Sequence, residues 1–585
     1  MKYFKFTALF AALVITISCS EDWLERYPLD ELSPGDFFKN AEQLEIYANR
    51  FYVLLPAHTD YYITFWAEKN SDNLVPGTYD PRLAGTRSLP ASASAGGWIW
   101  DEIRQANYFL VNCNEAEGIP EDINHFIGEV RFFRAFLYFD KLKTFGDVPW
   151  INKPLNTLSE DLYAPRISRR IIADSIIADL DFAISNLKSV EKAPTFRINK
   201  EIALLLKARV CLYEGTWEKY HEGTVFGVNG SDGSNFIQLA AETADLLMQS
   251  NKYSIYKGPA GSEYGSLFNQ TDYMGNPEVM LWKKFDIGLG IVNDVSRSMA
   301  GGAGDLGISK SLIDSYLCTD GQPISVSPLF QGRDSLELEV ANRDPRLAQS
   351  IFMKGYDQIV NAPGNLNQQF NLPPIDGAGS SRNTTGYAIY KGHNPEYSQQ
   401  ANNLNGTTGS VIFRYAEALL IFAEAKAELQ TITQEDLDRS INLLRDRIGM
   451  PHLVLSNIVT DPSWDFPSLS PVINEVRRER RIELMLEGQR WDDLARWRAH
   501  NLITGKRPLG IKYIGTNLEG VYKDFLGNPN IFVGVNLFVD ENGFIDPYQL
   551  ILPAGYGFNP DRDYLSPIPS DEITLNDKLT QNPGW

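Results

Sequence analysis

EVRRERRIELMLEGQRWDDLARWR, residues 475–498, combines dense charge with Ile482, Met485 and Leu486 at i, i+3, i+4 spacing. A helix of that pattern packs one apolar stripe while Glu and Arg crowd beside it. Arg480 stands three residues before Glu483, and Asp492 four before Arg496. Opposite charges therefore share helix faces and are expected to form a half-buried network. Gly488 stops the first helix, and Asp492 and Asp493 favour a second helix start through its dipole. The expectation is a helix, a tight turn and another helix, closed by Trp491 and Trp497. Glu483 and Glu487 could instead be read as the paired carboxylates of a glycosidase. Each, however, has Arg within one helical turn, and a cation lowers the pKa that a general acid needs raised. The structural reading is preferred.

Around this stretch lie 585 residues, 43% hydrophobic and 22% charged, values of an ordinary globular chain with enough length for a large core. A net charge of −20 argues against nucleic acid or an anionic membrane surface as partner. The six histidines are scattered without metal-ligand spacing, so a zinc enzyme is not expected. At the N-terminus, Lys2 and Lys5 precede an apolar run over residues 6–18, followed directly by Cys19. The run is too short to span a bilayer but suits the core of a secretory signal. With cysteine immediately after it, the segment resembles a bacterial lipoprotein signal, although Thr16 stands where such signals usually carry Leu. That resemblance implies a signal peptide at 1–18, lipidation of Cys19, and an anchor and linker at 19–40. Ser20, Glu21 and Asp22 resemble the acidic tag that sends Bacteroidetes lipoproteins to the outer face of the outer membrane. Cys113, Cys211 and Cys318 show no spacing that suggests a disulfide framework.

Residues 41–55 carry helical periodicity ended by Pro56. Residues 66–97 lack any sustained period and hold several Pro and Gly, a long irregular loop of the kind that carries function. Trp98 and Trp100 open the next helix. Residues 126–145 are apolar on most faces, which predicts a deeply buried helix stopped by Gly146. Helices are expected over 168–187, 200–217 and 236–248, the last pair at near-tetratricopeptide spacing. Residues 252–410 read as a large insertion of loops and short strands, and residues 411–429 and 434–448 as two further helices. Within the insertion GAGDLG, Gly302 to Gly307, matches GxGxxG, but no apolar strand precedes it and the dinucleotide reading fails. Asn542-Gly543 reads as a hairpin turn. Four helix pairs thus emerge, at 126/168, 200/236, 412/434 and 473/491. The fold class is mainly α: one domain over 41–585, with a helical part at 41–251, an irregular part at 252–410, and a helical part with a tail at 411–585.

Seven blocks carry a resemblance. They are GEVRFFRAFLYFDKLKTFGDVPW at 128–150, RDPRL at 343–347, FRYAEALLIFAEA at 413–425, INLLRDRIGMP at 441–451, ERRIELMLEGQRWDDLARW at 479–497, YLSPIP at 564–569 and QNPGW at 581–585. In this order they resemble the SusD/RagB family of outer-membrane nutrient-binding lipoproteins over nearly the whole mature chain. Ser566 departs from the family, which more often has a large residue there. The resemblance implies a SusD-like fold of four tetratricopeptide-like helix pairs that dock on a SusC-type TonB-dependent transporter. It also implies a loop-built face that captures an oligosaccharide or polysaccharide outside the cell, with no reaction catalysed and no cofactor.

Sugar recognition calls for flat aromatic faces and planar polar groups. The resemblance places the site partly on the irregular loop, where Asp72, Asn73, Tyr79, Arg82 and Trp98 are the candidates. Tyr79 and Arg82 lead, although the tyrosine could equally pack on the prolines of its loop, and Trp98 has a competing reading as core. The family's second ligand segment falls near 286–305, where Asn293 is a candidate hydrogen-bond donor and neither Trp nor Tyr occurs. Peptide or glycopeptide capture is the alternative function. A surface glycoside hydrolase is a third, and needs two uncompensated carboxylates facing one cleft.

Overall fold

The computed structural model describes residues 37–58, 68–300, 304–402 and 405–585. The expected signal peptide and Cys19 lie outside them. The body is built from α1 (Ala41–Ala48), α2 (Asp101–Asn112), α3 (Pro120–Phe145), α4 (Arg169–Asn186), α5 (Lys200–Tyr220) and α6 (Ser234–Gln249). It continues with α7 (Tyr415–Glu428), α8 (Gln434–Asp438), α9 (Ile441–Arg447), α10 (Pro471–Glu483) and α11 (Arg490–Arg496). Consecutive helices pack on one another, α3 on α4, α4 on α5 and α5 on α6, and α7 then packs on α6 and α10. The reason is legible in α3, whose Phe126, Val130, Phe133, Tyr138 and Leu142 are all buried. A helix apolar on most of its circumference has to be covered from several sides. Gly146 ends it at φ +72°, and a Cβ there would meet a Leu565 methyl at 2.8 Å. Glycine is required for both reasons.

Among the described residues, the irregular part is held by three two-stranded antiparallel sheets. In them β1 (Leu74–Pro76) pairs with β3 (Leu306–Ile308), β2 (Val279–Lys283) with β6 (Ser410–Arg414), and β4 (Asp357–Ile359) with β5 (Gln368–Gln369). Where GAGDLG is described, it runs into β3 and not into a helix. This part has its own core, in which Leu306, Ile308, Leu312 and Tyr387 meet Ile482, Met485 and Leu486. The apolar stripe of residues 482–486 is thus the bolt between the helical body and the irregular part.

Three expected helices differ. The one expected to run to Gly488 ends at Glu483; residues 484–488 form a turn in which Leu486 takes φ +63°, so Met485 and Leu486 pack from the turn and not from the helix. Residues 411–414 are strand: Val411, Ile412 and Phe413 form a β-prone run that pairs with β2 before α7 begins. The helix expected over 434–448 divides at Ser440, whose φ −133° and ψ −92° are not helical. The capping box of Thr433 and Asp436 starts its first half. The turn at Asn542-Gly543 is observed, with Gly543 at φ +83° and Val539 bridged to Ile545. Cys113, Cys211 and Cys318 are buried free thiols.

Candidate functional site

Most of the charge that draws the eye in the sequence is spent inside the molecule. Glu483 is fully buried and accepts from Arg414 Nη1 at 2.7 Å, Arg447 Nη2 at 2.6 Å and Arg346 Nη1 at 3.0 Å. Arg414 also reaches Glu278 at 2.8 Å and Glu487 at 2.7 Å, and Lys391 binds Glu487 at 2.7 Å. Burial raises a carboxyl pKa, yet the guanidinium groups of Arg447, Arg414 and Arg346 prevail and hold Glu483 well below its ordinary value. Glu487 is lowered too, against burial, by Arg414 and Lys391. Two ionised, fully bonded carboxylates cannot serve as a general acid with its partner.

The network is more buried than expected, and its pairs are different. Arg480 bonds Asp493 at 2.9 Å, and Arg496 bonds Glu424 at 2.5 Å, while Asp492 is taken by Lys143 at 2.8 Å. The helical neighbours Glu483 and Asp492 lose to these partners because α10 and α11 turn their charged faces toward α7, where Glu424 projects from the facing helix. In a dry interface the best-aligned pair wins over sequence proximity.

The polar candidates of the first loop belong to the same framework. Asp72 is clamped by Arg490 at 2.7 and 2.8 Å and by Arg481 at 3.0 Å. Burial opposes its ionisation, but these two arginines bring its pKa down to about 2. Asn73, 1% exposed, donates to Glu68 at 2.9 Å and accepts from Arg481 at 2.9 Å. Asn293 is likewise buried, donating to the Thr408 carbonyl at 2.9 Å while its backbone bridges Gly406. These three were expected to meet a sugar. Their polar atoms are instead bonded inside the protein, and they hold the loops in place.

The leading pair is split. Arg82 lays its guanidinium over the Trp491 ring at 4.7 Å and donates to Ser566 Oγ at 3.2 Å, which also accepts from Arg87 at 3.3 Å. The small Ser566 gives both arginines room and an acceptor where a large side chain would displace them. Tyr79 sits edge-on to Tyr548 at 6.3 Å and remains half-buried. At the loop's start, Gly77 N–H donates to the Asp305 carbonyl at 2.8 Å. A Cβ on Gly77 would fall 1.8 Å from the Asp305 carboxylate, so the first loop and the 286–305 segment do meet, through backbone.

Trp98 leads to a different place. Ser92 caps the short helix Ala93–Gly96, Gly97 turns at φ +73°, and Lys141 Nζ holds the Gly97 carbonyl at 2.9 Å. Trp98 then packs edge-on to Phe145 at 4.9 Å and to Trp100 at 5.1 Å. The indole is 4% exposed, largely core, but it floors a cavity of about 460 Å³. The walls are Trp98, Trp100 and Ile103 at the head of α2, the 149–164 loop with Leu162 and Tyr163, and Leu575 and Leu579 from the C-terminal segment. The size and the mostly apolar lining are those of a small-ligand site.

Its construction explains its shape. Asn107 Nδ2 and Tyr138 Oη both donate to the Ile151 carbonyl, at 2.8 and 2.9 Å, pinning the 149–164 loop to α2 and α3. Asn576 Nδ2 donates to the Ala164 carbonyl at 3.1 Å and fixes the third wall. Trp100 is half-buried and Tyr163 is 52% exposed, so both offer ring surface. Arg104, the Lys153–Asp161 pair at 2.7 Å, and Glu572 supply polar groups around them. Burial, with repulsion from Asp571, raises the Glu572 carboxyl. Trp100 was visible in the sequence as a helix opener. Tyr163 was missed, and its available signal was Leu158, Leu162 and Tyr163 crowded into a proline-bearing connection between two helices. Among the described residues, no group of side chains could hold a metal ion, and no helix is long and apolar enough to cross a membrane.

Comparison with known proteins now adds the family. Residues 282–585 match the model of the SusD family, and residues 97–212 match a model described as starch-binding associating with outer membrane. SusD-like protein P38 of Formosa agariphila is 26% identical over 521 residues, covering 85% of this chain and 92% of the relative. The crystal structure of a SusD-like carbohydrate binding protein from Bacteroides fragilis superposes with a TM-score of 0.70 at 22% identity, covering 93% of this chain and all of that one. Another, solved with xylogluco-oligosaccharide, gives 0.58 at 16% identity over 92% of this chain and 97% of that one. The match of residues 282–585, more than half the chain, to the family model makes this protein a member of the SusD family.

Proposed function

We propose that this protein is a cell-surface glycan-binding lipoprotein, anchored through Cys19, that captures an oligosaccharide or polysaccharide and delivers it to a SusC-type TonB-dependent transporter. The observation that carries the reading is the 460 Å³ cavity of Trp98, Trp100 and Tyr163 on a SusD-family body. Indole and phenol rings stack against the C–H faces of pyranoses, and the rim groups Arg104, Asp161 and Glu572 suit hydroxyls. A relative crystallised with xylogluco-oligosaccharide and another described as carbohydrate binding support the same class of ligand. The role is binding without catalysis, since Glu483 and Glu487, the carboxylate pair the sequence suggested, are locked in ion pairs. Tyr79, half-buried on the first loop, is a subsidiary contact in this reading.

Affinity electrophoresis of the mature chain through a panel of neutral and acidic polysaccharides tests it, with reducing ends assayed in the same samples. Retardation by one glycan, lost in Trp100→Ala and without new reducing ends, is expected. Retardation by none would transfer the reading to peptide or glycopeptide capture, and new reducing ends would make the protein a hydrolase.

A further inference from the structure

Far along the chain from the aromatic cavity, residues 525–539 (FLGNPNIFVGVNLFV) contain no charged residue, in a protein that is 22% charged. Nor is most of the stretch buried: Leu537 reaches the core, but Phe525 is 96% exposed, Val535 73% and Leu526 71%, with Phe532 and Val533 exposed beside them. Single exposed apolar residues are unremarkable, but a run of five within eleven positions marks a contact surface.

Much of the backbone beneath these side chains is bonded within the loop. Asp524 N–H donates to the Asn528 carbonyl at 2.8 Å, and Leu526 and Asn528 N–H both donate to Asp524 Oδ1 at 2.8 Å. Asn530 N–H bonds the Tyr522 carbonyl at 2.9 Å, and Phe532 N–H bonds Asn536 Oδ1 at 2.8 Å. Val535 and Gly534 donate to Phe532 and Leu537 at 3.0 and 2.8 Å. Tyr522 Oη, bonded to the Pro373 carbonyl at 2.9 Å, and Asn530, bonded to Asp376 at 3.2 Å, root the loop in the irregular part. The result is an apolar knob whose fold is set largely by its own bonds, so that few backbone donors are left to lose water on contact.

Charge selects the kind of partner. Asp376, Asp524, Asp540 and Glu541 border the knob, against Lys523, on a chain of net charge −20. An anionic bilayer surface repels such a rim, whereas a protein groove edged with Lys and Arg complements it. We propose that residues 524–536 are a docking knob that seats in an apolar, basic-rimmed groove of the transporter, a proposal that rests on the transporter role given above.

The test is co-purification of the full chain with its co-expressed SusC-type transporter, comparing wild type, Phe525→Asp/Leu526→Asp and Phe525→Leu. Both positions are exposed, so melting temperature and glycan retardation are expected to stay at wild-type values. The double variant is expected to recover roughly tenfold less transporter or worse, as for a central apolar anchor, while Phe525→Leu recovers near the wild-type amount. Equal recovery by wild type and double variant would overturn the knob and leave the transporter role standing. Failure of the wild type to recover any transporter would overturn both. Flotation of the unanchored Cys19→Ala chain with phosphatidylcholine vesicles, abolished by the double variant, would overturn a protein groove in favour of lipid. Self-association lost in the same variant would do so in favour of a second copy.

Discussion

The arginine-carboxylate web under α10 and the aromatic cavity at the head of α2 are built from opposite materials. In the web the charges around Glu483 and Glu278 pair with one another at 2.6–3.0 Å, side chain to side chain. In the cavity the walls are largely apolar, and the rings of Trp100 and Tyr163 still face open space. Residues that look functional because they are charged can thus be the most structural in a molecule, while the surface left for chemistry is the one that looked like ordinary packing.

The sharpest way to break this comparison is to unbalance the web. Glu483→Ala leaves Arg346, Arg414 and Arg447 buried without their shared acceptor, and is expected to cost about 3–5 kcal/mol in urea unfolding, or to prevent folding. A loss under about 1 kcal/mol would mean that the web is wetter than its geometry shows. Smaller, and dependent on pH, is the contribution of Asp72. Its pKa is lowered to about 2 from a reference of 3.8, so its stabilisation is present above about pH 4 and is lost as pH falls through 2. Asp72→Asn is expected to lose about 2 kcal/mol at neutral pH and to show a shallower acid limb in unfolding curves taken from pH 5 to pH 2. A stability change that appears only above pH 5 would assign the effect to another group.

On the other side of the comparison, Trp100→Ala is expected to weaken glycan retardation by about tenfold, because the half-buried ring turns its remaining surface to the cavity. Tyr79→Ala, edge-on to Tyr548, is expected to weaken it by no more than about threefold, the loss of a peripheral contact. A reversal of that order would return the site to the first loop.

The helices were legible because α3, α5 and α10 carry strong periodic patterns, and α3 has a clear stop at Gly146. The strand at 411–414 was hidden because its short β-prone run leads directly into the helical pattern of α7, and its partner lies about 130 residues upstream, at 279–283. For the same reason Asp72 and Asn73 read as free loop groups. Nothing near them in sequence reveals Arg481 and Arg490, more than 400 positions away. Trp98 was readable both as core and as site, and it serves as a buried wall of the cavity. Tyr163 could be placed only once the C-terminal segment was seen to close over its loop.

The most direct measurement is a crystal structure with an oligosaccharide of whichever glycan retards the protein. The account predicts sugar rings lying on Trp100 and Tyr163, with Arg104 or Glu572 within hydrogen-bond reach of their hydroxyls. Sugar bound along Tyr79 and Arg82, with the cavity at the head of α2 empty, would contradict it.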